Sequence, residues 1–297
     1  MCLLRALRHF HATTLSGLHR MPKDCFALFG RRLDQPDLGW RRLAQPWSSY
    51  RADPFLLEWQ GQFWLFFEEF EYLRNKGRLA ACRLDGSAYT VVMDRPYHMS
   101  YPFPLLYQDR LWMVPESCQN GTVDLYESVT FPHGWRLVRS LLQAMDAVDA
   151  TLLWENERWW LFTSVRPPGV GQRHLEIYSS PDLLTGDWLA HPINEQRLYH
   201  SLSNQSGRCG GAFFRHQGQW IRPAQYSPAY YGQGLAFREL RKLSLEHFAE
   251  VGVDIPDLPW RQNHHLTTLG VHQWVNRKVR VSYTARPRAL QEPWSGS

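Results

Sequence analysis

No apolar run in this 297-residue chain reaches the roughly 18 residues a membrane-crossing helix needs. Cysteine is scarce: Cys2, Cys25, Cys82, Cys118 and Cys209 make an odd number, with no CxxC pair. That argues against a disulfide framework and against a zinc site, and suggests a reducing, cytoplasmic setting. An excess of one charge is missing too, since 33 Lys and Arg face 28 Asp and Glu, for a net charge of +5. The basic residues are scattered apart from Arg31-Arg32, Arg41-Arg42, Arg286 and Arg288. No basic-aromatic module of a nucleic-acid reader stands out, so no nucleic-acid partner is expected. Residues 1–20 carry Arg5, Arg8 and Arg20 and no acid, but lack the unbroken apolar stretch of a secretory signal. They read as a leader. No cofactor motif is present, and neither a metal nor a cofactor is expected.

Aromatics are plentiful, at 14% of the chain with 14 Trp and 13 Tyr. They are also periodic. Four times a marked residue opens a short apolar run, a turn follows, and Trp stands eleven positions after the mark. The marks are Asp53, Tyr101, Asp149 and Cys209, and the tryptophans are Trp64, Trp112, Trp160 and Trp220. The marks lie 48, 48 and 60 residues apart. A degraded fifth copy runs over 271–281, behind His264-His265-Leu266-Thr267-Thr268. Third strands are expected at 78–84, 123–128, 175–180 and 235–240, and fourth-strand entries at His133-Gly134-Trp135 and Thr185-Gly186-Asp187-Trp188. One helical turn is expected at 244–248, and a long polar loop over one face at 189–207. Hairpins apolar on both strands must bury each other, and repeats of this length indicate a radial β array. The expected fold is all-β, a five-bladed β-propeller over 46–290. Residues 1–45 supply the leader and first outer strands, and 291–297 a tail.

In a propeller the innermost strands start around one axis, so equivalent residues of successive blades converge. Asp53 and Asp149 share one repeat position. Glu68 and Glu116 share another, fifteen residues after their blade's mark. Four carboxylates are therefore expected at one central pocket. Paired carboxylates of unequal pKa are what glycoside chemistry uses, one as acid and one as base or nucleophile. Arg208, just before the fourth mark, is placed to bind an anion or steady a carboxylate. His264 and His265 reach the same rim from blade five. Arg222, two residues after Trp220, is expected in a buried ion pair or carbonyl contact tying blade four to its neighbour.

The motifs Arg51-Ala52-Asp53-Pro54-Phe55, Phe66-Phe67-Glu68-Glu69, Met99-Ser100-Tyr101-Pro102-Phe103, Val114-Pro115-Glu116-Ser117, Asp149-Ala150-Thr151-Leu152 and Ile221-Arg222-Pro223-Ala224-Gln225 stand in order along the chain. Together they resemble the N-terminal domain of plant glucosamine inositolphosphorylceramide transferases and their bacterial, formyltransferase-associated relatives. The resemblance runs from Arg51 to Leu269. That family is in turn similar to the five-bladed glycoside hydrolase families 43, 32 and 68. The resemblance implies Asp53 as base or nucleophile, Asp149 as its orienting partner and Glu116 as acid. Arg208, Glu68, Tyr101, Gln225, His264 and His265 would contact a sugar, glycan or nucleotide-sugar substrate. Tyr226-Ser227 departs from the family pattern, which carries an acidic residue there. The leading expectation is a glycoside-hydrolase-like enzyme; the alternatives are a non-catalytic sugar-binding module and a glycosyl-transferring enzyme.

Overall fold

The computed structural model describes residues 25–169, 171–199, 206–256, 258 and 262–279. The leader over 1–20 and the tail over 291–297 lie outside the described residues. Five four-stranded antiparallel sheets stand around one axis as a five-bladed β-propeller. The first two strands, β1 (Cys25–Arg32) and β2 (Arg41–Arg42), are outer strands of the last blade. Blade one is β3 (Ser49–Trp59), β4 (Gln62–Glu71), β5 (Lys76–Arg83) and β6 (Thr90–Met93). Blade two is β7 (Ser100–Tyr107), β8 (Arg110–Ser117), β9 (Thr122–Thr130) and β10 (His133–Gln143). Blade three is β11 (Ala147–Glu155), β12 (Arg158–Val165), β13 (His174–Ser180) and β14 (Leu189–Ala190). Blade four is β15 (Phe214–His216), β16 (Gln219–Tyr226), β17 (Gly234–Leu243) and β18 (Phe248–Val253). Blade five joins β19 (Asn263–Leu269) and β20 (His272–Val279) to β1 and β2. Pairing β1 to β20, from Cys25↔Val279 to Arg32↔His272, closes the ring with the two ends of the described chain.

The repeated tryptophans do two jobs. Trp64, Trp112, Trp160 and Trp274 are buried between blades. Two also fasten their own hairpin: Trp112 Nε1 donates to the Tyr107 carbonyl at 3.0 Å and Trp160 Nε1 to the Glu155 carbonyl at 3.1 Å. A large apolar body with one donor suits a turn-proximal position facing the next blade. Blades one and two meet through Phe66, Leu79, Met99 and Tyr101. Blades five and one meet through Leu28, Leu65, Phe67 and Trp274, and blades four and five through Ile221, Leu235, Leu266 and Val275. Trp274 stands eleven residues after Asn263, so the fifth copy keeps the spacing although its mark is neither acidic nor preceded by a recognisable motif.

Three details differ from the sequence expectation. Residues 244–248 form a bend closed by Ser244 N–H to the His247 carbonyl, 2.9 Å, and not a helical turn. The inner strand of blade four is only Phe214–His216, because Gly210 and Gly211 press against blade five. Gly211 has φ +133°, and a Cβ there would stand 1.8 Å from the Leu266 carbonyl oxygen, so only glycine fits. The segment after Trp188 contains the two-residue β14 and a 3-10 helix, Pro192–Gln196, capped by His191 Nδ1 accepting from the Ile193 amide at 3.0 Å. Residues 200–205 of the expected loop, including His200, Asn204 and Gln205, lie outside the described residues.

Candidate functional site

The first strands of blades one, two and three share a bulge near their start, at Ala52/Phe55, Ser100/Phe103 and Val148/Thr151. In each bulge the marked residue adopts left-handed backbone: Asp53 at φ 49°, Tyr101 at 46° and Asp149 at 56°. Such conformations are uncommon outside glycine and cluster at functional sites. The bulge leaves two residues of β3 unpaired with β4, including Asp53. It does the same for Asp149 in blade three.

Asp149 is 1% exposed. Its Oδ2 accepts from Arg208 Nε at 2.5 Å and from Gln225 Nε2 at 3.0 Å. Glu116 Oε2 accepts the Asp149 backbone N–H at 3.2 Å, which joins blades two and three. Burial, then the neighbouring Asp149 charge, push the Glu116 carboxyl up to about 8, against the pull of Arg208. Asp53 is 6% exposed, and its Oδ1 has no hydrogen-bond partner. Burial and then Asp149 push its carboxyl up to about 7, opposed by Arg208 and the Tyr101 amide. Burial, followed by Asp53, Glu116 and Asp149, holds the Glu68 carboxyl well above the usual carboxylate range.

His264 Nε2 and His265 Nδ1 face Asp53 Oδ1 at 3.6 and 3.8 Å. Both rings are neutral. Burial takes His265 down to about 3, and burial with the nearby Arg208 takes His264 well below its ordinary value. His264 Nε2 lies 2.8 Å from the Tyr231 hydroxyl, and the Arg208 guanidinium sits 5.6 Å from the Tyr231 ring centroid. The structure therefore brings Asp53, Glu68, Glu116, Asp149, Arg208, Gln225, His264 and His265 to one end of the axis. Tyr101 stands behind them, fully buried, with its hydroxyl 2.7 Å from Thr151 Oγ1 and accepting the Gly211 amide at 3.1 Å. Its hydroxyl is satisfied by protein, and it braces the bulge.

Sequence reasoning missed three neighbours of the cluster: Tyr50, His98 and Tyr231. Tyr50 and His98 lie within three residues of a marked residue, at Asp53 and Tyr101, and that proximity was the available signal. Tyr231 sits in a Tyr-rich loop with no repeat position. Arg222 does form the expected buried ion pair, with Nη2 2.6 Å from Glu250 Oε1 and Nε 3.0 Å from Glu250 Oε2. Glu250 is on β18, however, so the pair ties blade four to itself. The reach toward blade three comes through Arg222 Nη2, which donates to the Ser206 carbonyl at 2.9 Å in the segment joining the two blades, and through Tyr199, whose hydroxyl donates to Glu250 Oε1 at 2.5 Å. Among the described residues no group of three or more His, Cys, Asp or Glu is arranged to hold a metal ion.

Five four-stranded sheets around one axis give the chain a fold also found in glycoside hydrolases. Similar solved folds include an exo-β-1,3-galactanase from Clostridium thermocellum, at 13% identity and TM-score 0.53, covering 71% of this chain and 52% of that one. An endo-1,4-β-xylanase from Bacteroides thetaiotaomicron gives 14% and 0.51, covering 78% and 87%. At such identities the likeness concerns the fold alone. The family model described as "Glucosamine inositolphosphorylceramide transferase 1, N-terminal" matches residues 42–267, and the chain belongs to that family. Glucosamine inositolphosphorylceramide transferase 1 of Oryza sativa subsp. japonica is 31% identical over 215 residues, 70% of this chain and 28% of that protein. The Arabidopsis thaliana protein of the same name is 30% identical over 69% of this chain and 27% of its own length. The chain thus spans less than a third of the relatives it matches.

Proposed function

We propose that the central site binds a sugar and acts on its glycosidic bond, by hydrolysis or by transfer from a glycan or activated sugar. The observation that carries this reading is the unequal treatment of neighbouring carboxyls. Asp149 is held by Arg208 and Gln225. Glu116, bonded to the Asp149 amide, is raised to about 8 and so carries a proton at neutral pH. A carboxyl that keeps its proton, Glu116, near one of lower pKa, Asp53, is the pairing that glycosidic cleavage requires. In this reading Glu116 protonates the leaving oxygen and Asp53 acts as base or nucleophile. Burial and then the Asp149 charge raise their pKa values, and Arg208 clamps the substrate. Cys25, Cys82, Cys118 and Cys209 are all free thiols, which supports a reducing, cytoplasmic location.

A second reading is recognition without turnover, with the propeller presenting a sugar to another catalytic unit. It is favoured by Tyr226-Ser227, which stand where the family pattern carries an acidic residue. The test is paired. The full chain, Asp53→Asn and Glu116→Gln are each measured for sugar binding on a glycan array and for reducing-sugar release and transfer. Turnover lost in both variants with binding kept supports catalysis. Binding without turnover in all three establishes the second reading. No binding by the unaltered protein sinks both.

A further inference from the structure

Beside Asp53, between blades one and two, stand three polar groups with unused hydrogen-bonding capacity. The first is Tyr50 on β3. Its ring is stacked on Phe70, with centroids 4.9 Å apart and planes at 6°, and meets the edge of Phe26 at 5.8 Å and 64°. That sandwich fixes the direction of the phenol. Among the described residues its hydroxyl has no hydrogen-bond partner; burial and then Glu68, Tyr231, Asp53 and Tyr72 push its phenol up. The second is Glu68, two residues before Phe70 on β4 and paired in register with Ala52. It is 5% exposed, and its Oε1 is buried without a partner. The third is His98, half-buried on the approach to β7. Its Nδ1 accepts the Gly77 amide at 2.9 Å, so the proton of the neutral ring sits on Nε2. That Nε2–H faces Glu68 Oε1 across 3.6 Å, too far for a direct bond.

The approach of Glu68 and His98 depends on Gly77. A Cβ on Gly77 would stand 2.5 Å from Glu68 Oε1, 2.5 Å from the Met99 carbonyl oxygen and 2.8 Å from His98 Cε1. Glycine at 77 is what lets the carboxyl and the imidazole face each other. We propose that Tyr50, Glu68 and His98 form a recognition pocket, opening beside Asp53, for a vicinal hydroxyl pair of an uncharged sugar ring. Tyr50 and His98 offer donors; Glu68 and the Tyr50 oxygen offer acceptors. A hydroxyl both donates and accepts, so a pair of them satisfies the whole set. An anionic substituent would meet no charged donor among Tyr50, Glu68 and His98, and would lie beside the Asp53 carboxyl. An ammonium group only donates, and would leave the His98 Nε2–H unmatched.

This inference rests on the reading that the central site takes a sugar, and its test separates the two. A neutral oligosaccharide found to bind on the array is titrated calorimetrically, with its set of monodeoxy analogues, against the unaltered protein and Tyr50→Phe. The substitution removes one oxygen and keeps the ring sandwich. Tyr50→Phe is expected to weaken the parent sugar about tenfold, which is about 1.4 kcal/mol and within the range of one lost hydrogen bond. One monodeoxy analogue should bind both proteins equally, because the same bond is already missing. Equal affinity of the two proteins for every sugar overturns the pocket and leaves the central site standing. Equal losses across every deoxy analogue overturn it too. No neutral sugar bound by the unaltered protein overturns the pocket together with the reading beneath it.

Discussion

Asp53 combines two costs, a left-handed backbone and a buried carboxyl whose Oδ1 lacks a partner. Asparagine tolerates the same backbone and carries no charge to desolvate. Asp53→Asn is therefore expected to keep or raise thermal stability while lowering turnover by about 10²–10⁴-fold, the usual cost of losing a general base. Scanning fluorimetry beside a glycan assay checks both halves, and a clear fall in melting temperature would contradict the first. Glu116 and Asp53 also set the pH profile. An acid at about 8 and a base at about 7 predict a bell-shaped kcat/KM peaking between those values. The two apparent constants belong to the interacting pair. The sign for stability runs the other way from a salt-bridged carboxylate. Glu116 holds its proton more tightly folded than unfolded, so its contribution declines as pH rises from about 4.5 through about 8. Glu116→Gln should thus gain melting temperature relative to the unaltered protein at pH 8 and little at pH 4. A gain of equal size at both pH values would mean that the carboxyl is not raised. Asp53, Glu116 and Asp149 were legible from the sequence because repeat positions map onto one axis. The roles of Tyr50 and His98 were not. Each depends on contacts between blades, Phe26 with Tyr50 and Gly77 with His98, that no local pattern encodes.

At the scale of the strand, the bulges of β3, β7 and β11 turn the marked residues inward, and the partners that hold them come from other blades. Tyr101 shows this clearly: its hydroxyl bridges Thr151 of blade three and Gly211 of blade four. Tyr101→Phe leaves the Gly211 amide without that acceptor, at a cost of about 1–3 kcal/mol. Sugar affinity should stay unchanged. A lowered affinity with unchanged stability would place Tyr101 in the pocket instead of behind it. Arg222 and Glu250 are the corresponding brace of blade four, at 0% and 2% side-chain exposure. Burial opposes the Glu250 charge, but Arg222 beside it holds the carboxyl below its ordinary value. Arg222→Met leaves that carboxyl only the Tyr199 hydroxyl and the longer Arg238 contact at 3.3 Å, and breaking a buried pair typically costs about 3–5 kcal/mol. Adding Glu250→Leu should recover much of the loss; a double variant as unstable as the single one would show that the cost lies in packing. The sequence carried the strands of this blade but not its short β15. Gly210-Gly211 reads as a turn, and only the closeness of Leu266 shows why the inner strand is cut there.

For the whole molecule, the eleven-residue Trp spacing marked four blades and the degraded copy over 271–281 the fifth, since each hairpin is a local unit. The joint that closes the ring is not local. Strand β1 pairs with β20 across about 250 residues of chain, and residues from both ends meet in the Leu28, Phe67 and Trp274 cluster. The same strand carries Phe26, which touches Tyr50, His264 and Tyr231. Closure and site are thereby coupled through one strand. A chain starting at residue 46 removes β1 and β2, exposes the β20 edge and empties the slot of Leu28. It is expected to lose cooperative unfolding, because an open ring leaves an unpaired edge strand and an uncovered apolar face. A gentler change separates closure from the site. Leu28→Ala opens a cavity worth about 2–5 kcal/mol in the blade-five joint without touching the sugar pocket. Phe26→Ala removes similar packing and also one side of the Tyr50 sandwich. Both should unfold at lower denaturant, and only Phe26→Ala should weaken sugar binding at temperatures where each variant is folded. Equal sugar affinity in the two variants would show that the aromatic row from Tyr231 to Phe70 is packing alone. A binding defect in Leu28→Ala would show that the ring joint itself, and not the one residue it presents, shapes the site.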